Sequence, residues 1–137
     1  MQPNNNSNQA LILIVEDDPV LARMYSEKFK FEGFNVIVAR DGEEALEMAL
    51  SNAVQLILLD IMLPRMSGID MLGKLRESPR GKGLNVIVLT NLAEPEEKNK
   101  AFQLGVKDYL IKAMQTPEDV VNMVKKYITP PQPAPTS

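Results

Sequence analysis

The stretch Val54-Gln55-Leu56-Ile57-Leu58-Leu59-Asp60-Ile61-Met62-Leu63-Pro64 decides how this chain reads. A short, nearly unbroken apolar run bounded by a proline describes a strand buried on both faces of a sheet. The run ends abruptly in a carboxylate. Leu11-Ile12-Leu13-Ile14-Val15 ends the same way, running into Glu16-Asp17-Asp18. Two such strands side by side bring several carboxylates to one sheet edge. Like charges about 5 Å apart repel by roughly 3 kcal/mol at an effective dielectric near 20. A cluster of this kind calls for a cation.

Working outward, the strand segments are Leu11–Val15, Asn35–Ala39, Gln55–Leu59, Asn85–Leu89 and Lys107–Ile111. Helical patterns lie between and after them. Asp18-Pro19 gives the first helix a cap and a proline at its first position, and Gly33 closes it. Leu21, Met24, Tyr25 and Phe29 form its apolar stripe. Asp41 caps a second helix around 43–51, and Ser67 caps a third with Ile69, Leu72 and Leu75 inward. Glu94-Pro95 opens a fourth that Gly105 closes. Thr116-Pro117 opens a fifth, with Asp119 as capping-box partner and Val120, Val121, Val124 and Ile128 apolar. Strict alternation of strand and helix implies right-handed crossovers and a parallel sheet covered on both faces. The expected fold is α/β, a five-stranded doubly wound parallel sheet with five flanking helices.

Composition narrows the chemistry. The chain has 137 residues, enough for one domain with a real core. It has no cysteine and no histidine, so thiolate or imidazole metal sites and imidazole acid–base catalysis are excluded within it. A bound metal is then a hard, oxygen-ligated cation, magnesium before zinc. The net charge of -3 argues against direct nucleic-acid contact. No apolar run suits a membrane span, and Met1–Gln9 lacks the pattern of a signal peptide, so the expected location is cytoplasmic. Residues 1–9 read as a disordered N-terminal segment and 10–128 as the domain. Residues 129–137, with Pro130, Pro131, Pro133 and Pro135, read as a proline-rich tail or linker.

In open α/β sheets, ligands bind beyond the carboxyl ends of the strands, where the strand order reverses. With the order 2-1-3-4-5, Glu16, Asp17 and Asp18 lie beside Asp60, while Thr90 and Lys112 follow the fourth and fifth strands. Asp17 and Asp60 can share a hard cation completed by water. Asp60 can act as a carboxylate nucleophile toward phosphorus. Thr90 can donate to a phosphoryl oxygen, and Lys112 can supply a point charge. Each residue alone has an ordinary structural role as turn, cap, loop hydroxyl or solvated cation. The joint spacing is what points to phosphoryl chemistry.

Ile14-Val15-Glu16-Asp17-Asp18-Pro19, Leu58-Leu59-Asp60-Ile61-Met62-Leu63-Pro64-Arg65-Met66-Ser67-Gly68, Val88-Leu89-Thr90 and Asp108-Tyr109-Leu110-Ile111-Lys112 together resemble the receiver domain of two-component response regulators, the CheY-like fold. The resemblance spans residues 10–128. It implies that Asp60 is the phosphoacceptor, Thr90 and Lys112 hold the phosphoryl group, and Tyr109 is the aromatic that turns inward with Thr90. It implies magnesium, with manganese able to substitute, held by Asp17 and Asp60, by Glu16 through water and by the backbone carbonyl of Met62. Asp18 is then a helix cap. The implied partners are a histidine kinase or histidine phosphotransfer protein. An effector, output domain or second copy would meet the surface of the fourth helix, fifth strand and fifth helix, at Lys98, Phe102, Gln103, Tyr109, Val121 and Lys125. The resemblance implies a switch that assists only its own phosphorylation and dephosphorylation, and no enzyme beyond that.

The sequence departs from this family in places. Ala113 follows Lys112 where proline after a cis bond is usual. A cis bond before a non-proline residue costs about 2.5–4 kcal/mol. The expectation is a trans bond with a rearranged loop, or a strained cis bond held by the site. Asn91 replaces a small residue and is expected to narrow access to the phosphoryl group. Met62 and Leu92 are apolar at positions that tune acyl phosphate hydrolysis. Ala113 and Asn91 favour the alternative of an unphosphorylated pseudo-receiver, a constitutive interaction module. A flavodoxin-like electron carrier is disfavoured because the first strand–helix loop lacks a Ser/Thr/Gly-rich phosphate cradle. An aspartate phosphatase is disfavoured because its nucleophile follows the first strand.

Overall fold

A computed structural model describes residues 10–128. The expected N-terminal segment at 1–9 and proline-rich tail at 129–137 lie outside the described residues. The elements run β1 (Leu11–Val15), α1 (Pro19–Phe31), β2 (Asn35–Ala39), α2 (Gly42–Ser51), β3 (Leu56–Leu59), α3 (Gly68–Glu77), β4 (Asn85–Thr90), α4 (Pro95–Gln103), β5 (Asp108–Ile111) and α5 (Pro117–Lys125). A 3₁₀ turn over Lys112–Met114 joins β5 to α5.

All strand pairs are parallel and the order is β2-β1-β3-β4-β5. The expected topology is therefore the observed one. The register sets Val15 beside Leu59 and Leu59 beside Val88. Asp60 N donates to Val15 O at 3.1 Å, so the carboxyl edges of β1 and β3 end level with each other.

Side chains alternate strictly between two cores, as the pleat demands. Leu13, Val15, Ile57, Leu59, Val86 and Val88 face α2, α3 and α4, meeting Ala45, Met71, Leu72, Leu75 and Ala101. Ile12, Ile14, Leu56, Leu58, Ile87 and Leu89 face α1 and α5, meeting Tyr25, Phe29, Val120, Val121 and Val124. Each fully buried aliphatic or Phe side chain contributes roughly 1.5–3 kcal/mol. That burial on both faces keeps the central strands rigid and fixes where their last residues point.

N-caps begin α1, α3 and α5 where the sequence suggests. Asp18 accepts from Val20 N and Leu21 N. Ser67 accepts from Asp70 N, and Thr116 and Asp119 form a reciprocal capping box. Three boundaries move by one residue. β3 starts at Leu56 and β5 at Asp108, while β4 extends to Thr90. Gly33, at φ 99°, turns the chain out of α1 in a conformation glycine adopts without strain.

Gly68 holds the loop after β3 against the strand. Its N–H donates to Ile61 O at 2.9 Å, and a Cβ there would meet the backbone of Asp60 and Ile61. Only a residue without a side chain lets α3 start this close to Asp60.

Candidate functional site

Glu16, Asp17 and Asp60 converge at the carboxyl edge of β1 and β3. One oxygen from each lies within 4.8 Å of the others. Glu16 and Asp60 are buried and Asp17 is exposed, so the cluster opens to solvent on the Asp17 side. Lys112, from the end of β5, reaches across this edge. Its Nζ lies 2.6 Å from Glu16 Oε1 and 2.7 Å from Asp60 Oδ2.

The remaining carboxylate oxygens are held by backbone. Asp18 N donates to Glu16 Oε2 at 3.0 Å, and Met62 N donates to Asp60 Oδ1 at 3.0 Å. Both buried acids are thus oriented from two sides before any ligand arrives. Burial raises the Glu16 carboxyl above its ordinary value, and Lys112 offsets this only in part. Burial works to lower Lys112, but its bonds to Asp60 and Glu16 outweigh it and raise the ammonium. By count, three carboxylates face one ammonium at this edge.

Thr90 is fully buried at the end of β4, and its Oγ1 accepts from Leu92 N at 3.3 Å. Among the described residues it makes no hydrogen bond to Asp60 or Lys112. Tyr109 lies inward, 8% exposed, and donates its hydroxyl to Leu92 O at 2.6 Å. Burial, followed by Glu97 and Glu94, raises its phenol. Thr90 and Tyr109 therefore grip the same residue, Leu92, from opposite sides.

Among the described residues every peptide bond is trans, including Lys112–Ala113. Of the two expected outcomes the structure takes the first, with the loop wound into the 3₁₀ turn. Asn91 does something the sequence reading missed: its Oδ1 accepts from Ala113 N at 3.0 Å. Two of the six residues expected on the α4–β5–α5 surface are corrected. Val121 is fully buried in the core with Val120 and Val124, and Tyr109 is buried. Lys125 is engaged with Glu32, just past the end of α1, at 2.6 Å. Lys98, Phe102 and Gln103 remain exposed.

Tyr25 also went unrecognised. It reads as one more apolar position of α1, yet its ring is 5% exposed and lines a small void with Glu16 and Asp60 beneath the cluster. Among the described residues its hydroxyl has no hydrogen-bond partner. Burial raises its phenol, with Glu16 adding to that and Lys112 opposing it. A buried hydroxyl without a partner opposes folding. Tyr25→Phe is expected to stabilise the domain by about 1 kcal/mol in urea unfolding, with unchanged slope. A loss of that size instead would show that the hydroxyl is satisfied.

The fold and this acidic edge define a class, and comparison with known proteins agrees. The family model of the response regulator receiver domain matches residues 12–125. The chain belongs to that family. It is 40% identical over 112 residues to the transcriptional regulatory protein CpxR of Escherichia coli, covering 82% of this chain and 47% of CpxR. The chain thus spans about half the length of the curated relatives it matches. The chemotaxis protein CheY4 of Vibrio cholerae superposes with a TM-score of 0.80 at 27% identity, over 87% of this chain and 98% of that one. The receiver domain of the sensor histidine kinase PA1611 of Pseudomonas aeruginosa gives 0.78 at 27% identity, over 87% and 97%. That structure carries a magnesium ion in its active-site cleft.

Receiver domains are the signalling switches of two-component systems and bind magnesium in an acidic pocket. The donor set here fits such an ion: hard carboxylate oxygens, close together, with one side open to water. The charge argument against nucleic-acid contact finds no support among relatives named as transcriptional regulators. It concerns only the net charge of this chain. Among the described residues no helix is long and apolar enough to cross a membrane.

Proposed function

We propose that this chain is a phosphorylation-dependent switch in which Asp60 accepts a phosphoryl group from a phosphohistidine of a partner kinase or phosphotransfer protein. The observation that carries this reading is the shared ion pair of Lys112 with Glu16 and Asp60 at the strand edge. An Asp Oδ attacks phosphorus, the N–P bond of the donor breaks, and an acyl phosphate forms. The chain holds no histidine, so the donor comes from elsewhere.

Asp17 and Asp60 would hold magnesium or manganese directly, with Glu16 acting through water and Met62 through its carbonyl. The ion supplies neutralisation of phosphoryl charge. This chain's own residues do the positioning. Met62 N–H and Lys112 Nζ each take one Asp60 oxygen, which aims the carboxylate. After transfer, roughly 1.5–2 negative charges arrive beside Lys112 and Thr90. Thr90 turning to that charge releases Leu92 N, and Tyr109 feels the change through Leu92 O. The equilibrium between two arrangements of the α4–β5–α5 face shifts accordingly. An effector, an output domain or a second copy reads that face at Lys98, Phe102 and Gln103, and the setting is cytoplasmic.

Incubation with magnesium and phosphoramidate is expected to add the mass of one phosphoryl group, lost in Asp60→Asn. Absence of any adduct and of magnesium binding would support the rival reading, a constitutive interaction module. The Asn91–Ala113 departure is the feature that favours that rival.

The acyl phosphate is expected to be long-lived for this family. Met62 is exposed at 56% and apolar, and Leu92 packs against the core, so neither can orient an attacking water. Met62→Asn and Leu92→Glu are each expected to shorten its lifetime by about 10-fold, the scale of one positioned polar contact. Unchanged or slower decay, followed by radiolabel loss, would refute this account.

A further inference from the structure

We infer that Asn91 is a positioning residue for Lys112, acting through the Ala113 N–H. The inference rests on the phosphoryl-transfer reading of the pocket. The β4–β5 ladder ends at the pair Thr90–Ile111. Beyond it the two chains part, β4 toward α4 and β5 into the 3₁₀ turn. Besides the Tyr109 hydroxyl on Leu92 O, a side-chain bond spans the gap from Ala113 N to Asn91 Oδ1 at 3.0 Å.

Lys112 sits between two anchors. Ile111 before it is fixed by the sheet, and Ala113 after it is fixed by Asn91. Its long, flexible stem must place one ammonium within 2.7 Å of two carboxylates on the far side of the pocket. Holding the backbone on both sides removes freedom that such a stem would otherwise spend. The Ala113 N–H is in the first turn of a short 3₁₀ segment, whose backbone closes through Gln115 N to Lys112 O, so its donor has no partner within the turn. Asn91 and Ala113 are both exposed, where one neutral hydrogen bond matters little to folding. What the bond does is link the chain leaving Thr90 at the end of β4 to the 3₁₀ turn carrying Lys112, one residue beyond each.

Asn91→Ala is expected to slow the maximal rate of Asp60 phosphorylation by phosphoramidate about 5-fold, the equivalent of one lost hydrogen bond. The half-saturating donor concentration is expected to stay put, because the donor's own contacts are intact. Ala113→Pro removes the N–H from which Asn91 accepts, whatever loop geometry the proline sets. In that background Asn91→Ala is expected to change the rate by less than about 1.5-fold, since coupled residues are not additive. Equal slowing in both backgrounds, or none in either, overturns the inference. Should Ala113→Pro fail to fold, Asn91→Asp stands in. It keeps an acceptor oxygen and must hold the rate above that of Asn91→Ala. Hydrogen exchange of the Ala113 amide in unphosphorylated protein is expected to accelerate in Asn91→Ala. That measurement needs no phosphoryl transfer, so an unprotected amide in the wild type sinks the bond itself. A protected amide in a protein that accepts no phosphoryl group sinks the functional reading, and Asn91's role with it.

Discussion

Asp60→Asn is expected to abolish phosphoryl uptake while leaving the fold's stability within about 1 kcal/mol of the parent, on the following balance of charges. The amide has no anionic oxygen to attack phosphorus. It nearly matches the carboxylate in shape, so the buried site stays filled, and its one oxygen keeps either Met62 N or Lys112 Nζ while its NH2 loses the other bond, at about 1 kcal/mol. Asp60 gives up an attraction to Lys112 at 2.7 Å, worth about 6 kcal/mol at an effective dielectric near 20. It also relieves repulsion from Glu16 and Asp17, whose oxygens lie within 4.8 Å, at about 3 kcal/mol each on the same scale. The gains and losses cancel to first order, and Lys112 keeps Glu16 as its partner at 2.6 Å. Intact-protein mass after phosphoramidate and magnesium, beside urea unfolding of the same samples, checks both halves. An adduct that survives in the variant would move the phosphoacceptor elsewhere. A stability loss of several kcal/mol would make the missing adduct uninformative and would contradict this balance.

The sheet was legible because its strands are buried on both faces. Leu11–Val15 and Val86–Leu89 alternate between two cores, so every residue there is apolar, and their short length and flanking turn residues mark them as strands. The boundaries were less legible. Gln55 N and Lys107 N do bond to neighbouring strands, at Leu11 O and Val86 O. Their side chains lie in solvent and the ladder proper begins one residue later. Capping was legible because it is local: Asp18, Ser67 and Thr116 each satisfy N–H groups two or three residues on.

The site divides along the same line. The convergence of Glu16, Asp17 and Asp60 follows from strand order alone, since each ends or follows a buried strand. The sharing of Lys112 between Glu16 and Asp60 does not, because it depends on where a four-carbon stem lands 52 residues away in sequence from Asp60. Asn91 illustrates the limit best. Its sequence position suggested an obstacle at the pocket mouth, whereas its partner lies 22 residues on and exists only because Ala113 retains an N–H. Val121 failed for the opposite reason. The spacing of Val121 with Val124 and Ile128 puts it on the buried face of its helix, and the surface placement came only from the family resemblance; both Val120 and Val121 are in the core.

Lys112→Ala is expected to cost about 3 kcal/mol of stability in the absence of divalent cation, the low end of the range for breaking a buried ion pair. Glu16 and Asp60 are 5% and 6% exposed at their side chains, so neither can recover full hydration when the ammonium is gone. Water reaches the cluster from the Asp17 side, which keeps the loss from the top of that range. The three carboxylates then repel one another with nothing between them. Magnesium held by Asp17 and Asp60 would return positive charge to the same cluster, and binding only the folded form would stabilise it. At a concentration 100 times its dissociation constant that stabilisation is about 2.7 kcal/mol. The variant is therefore expected to gain more from magnesium than the parent does, because the ion no longer competes with an ammonium for Glu16 and Asp60. Chelation with EDTA should return it to the weaker state. Urea unfolding of both proteins, with and without magnesium, reads all four stabilities. If Lys112→Ala proves as stable as the parent without metal, the bridge is incidental to the fold, and the acidic cluster is better solvated than its burial implies. If the variant is weak but indifferent to magnesium, the cluster does not hold the ion, and the constitutive interaction module becomes the better account of this domain.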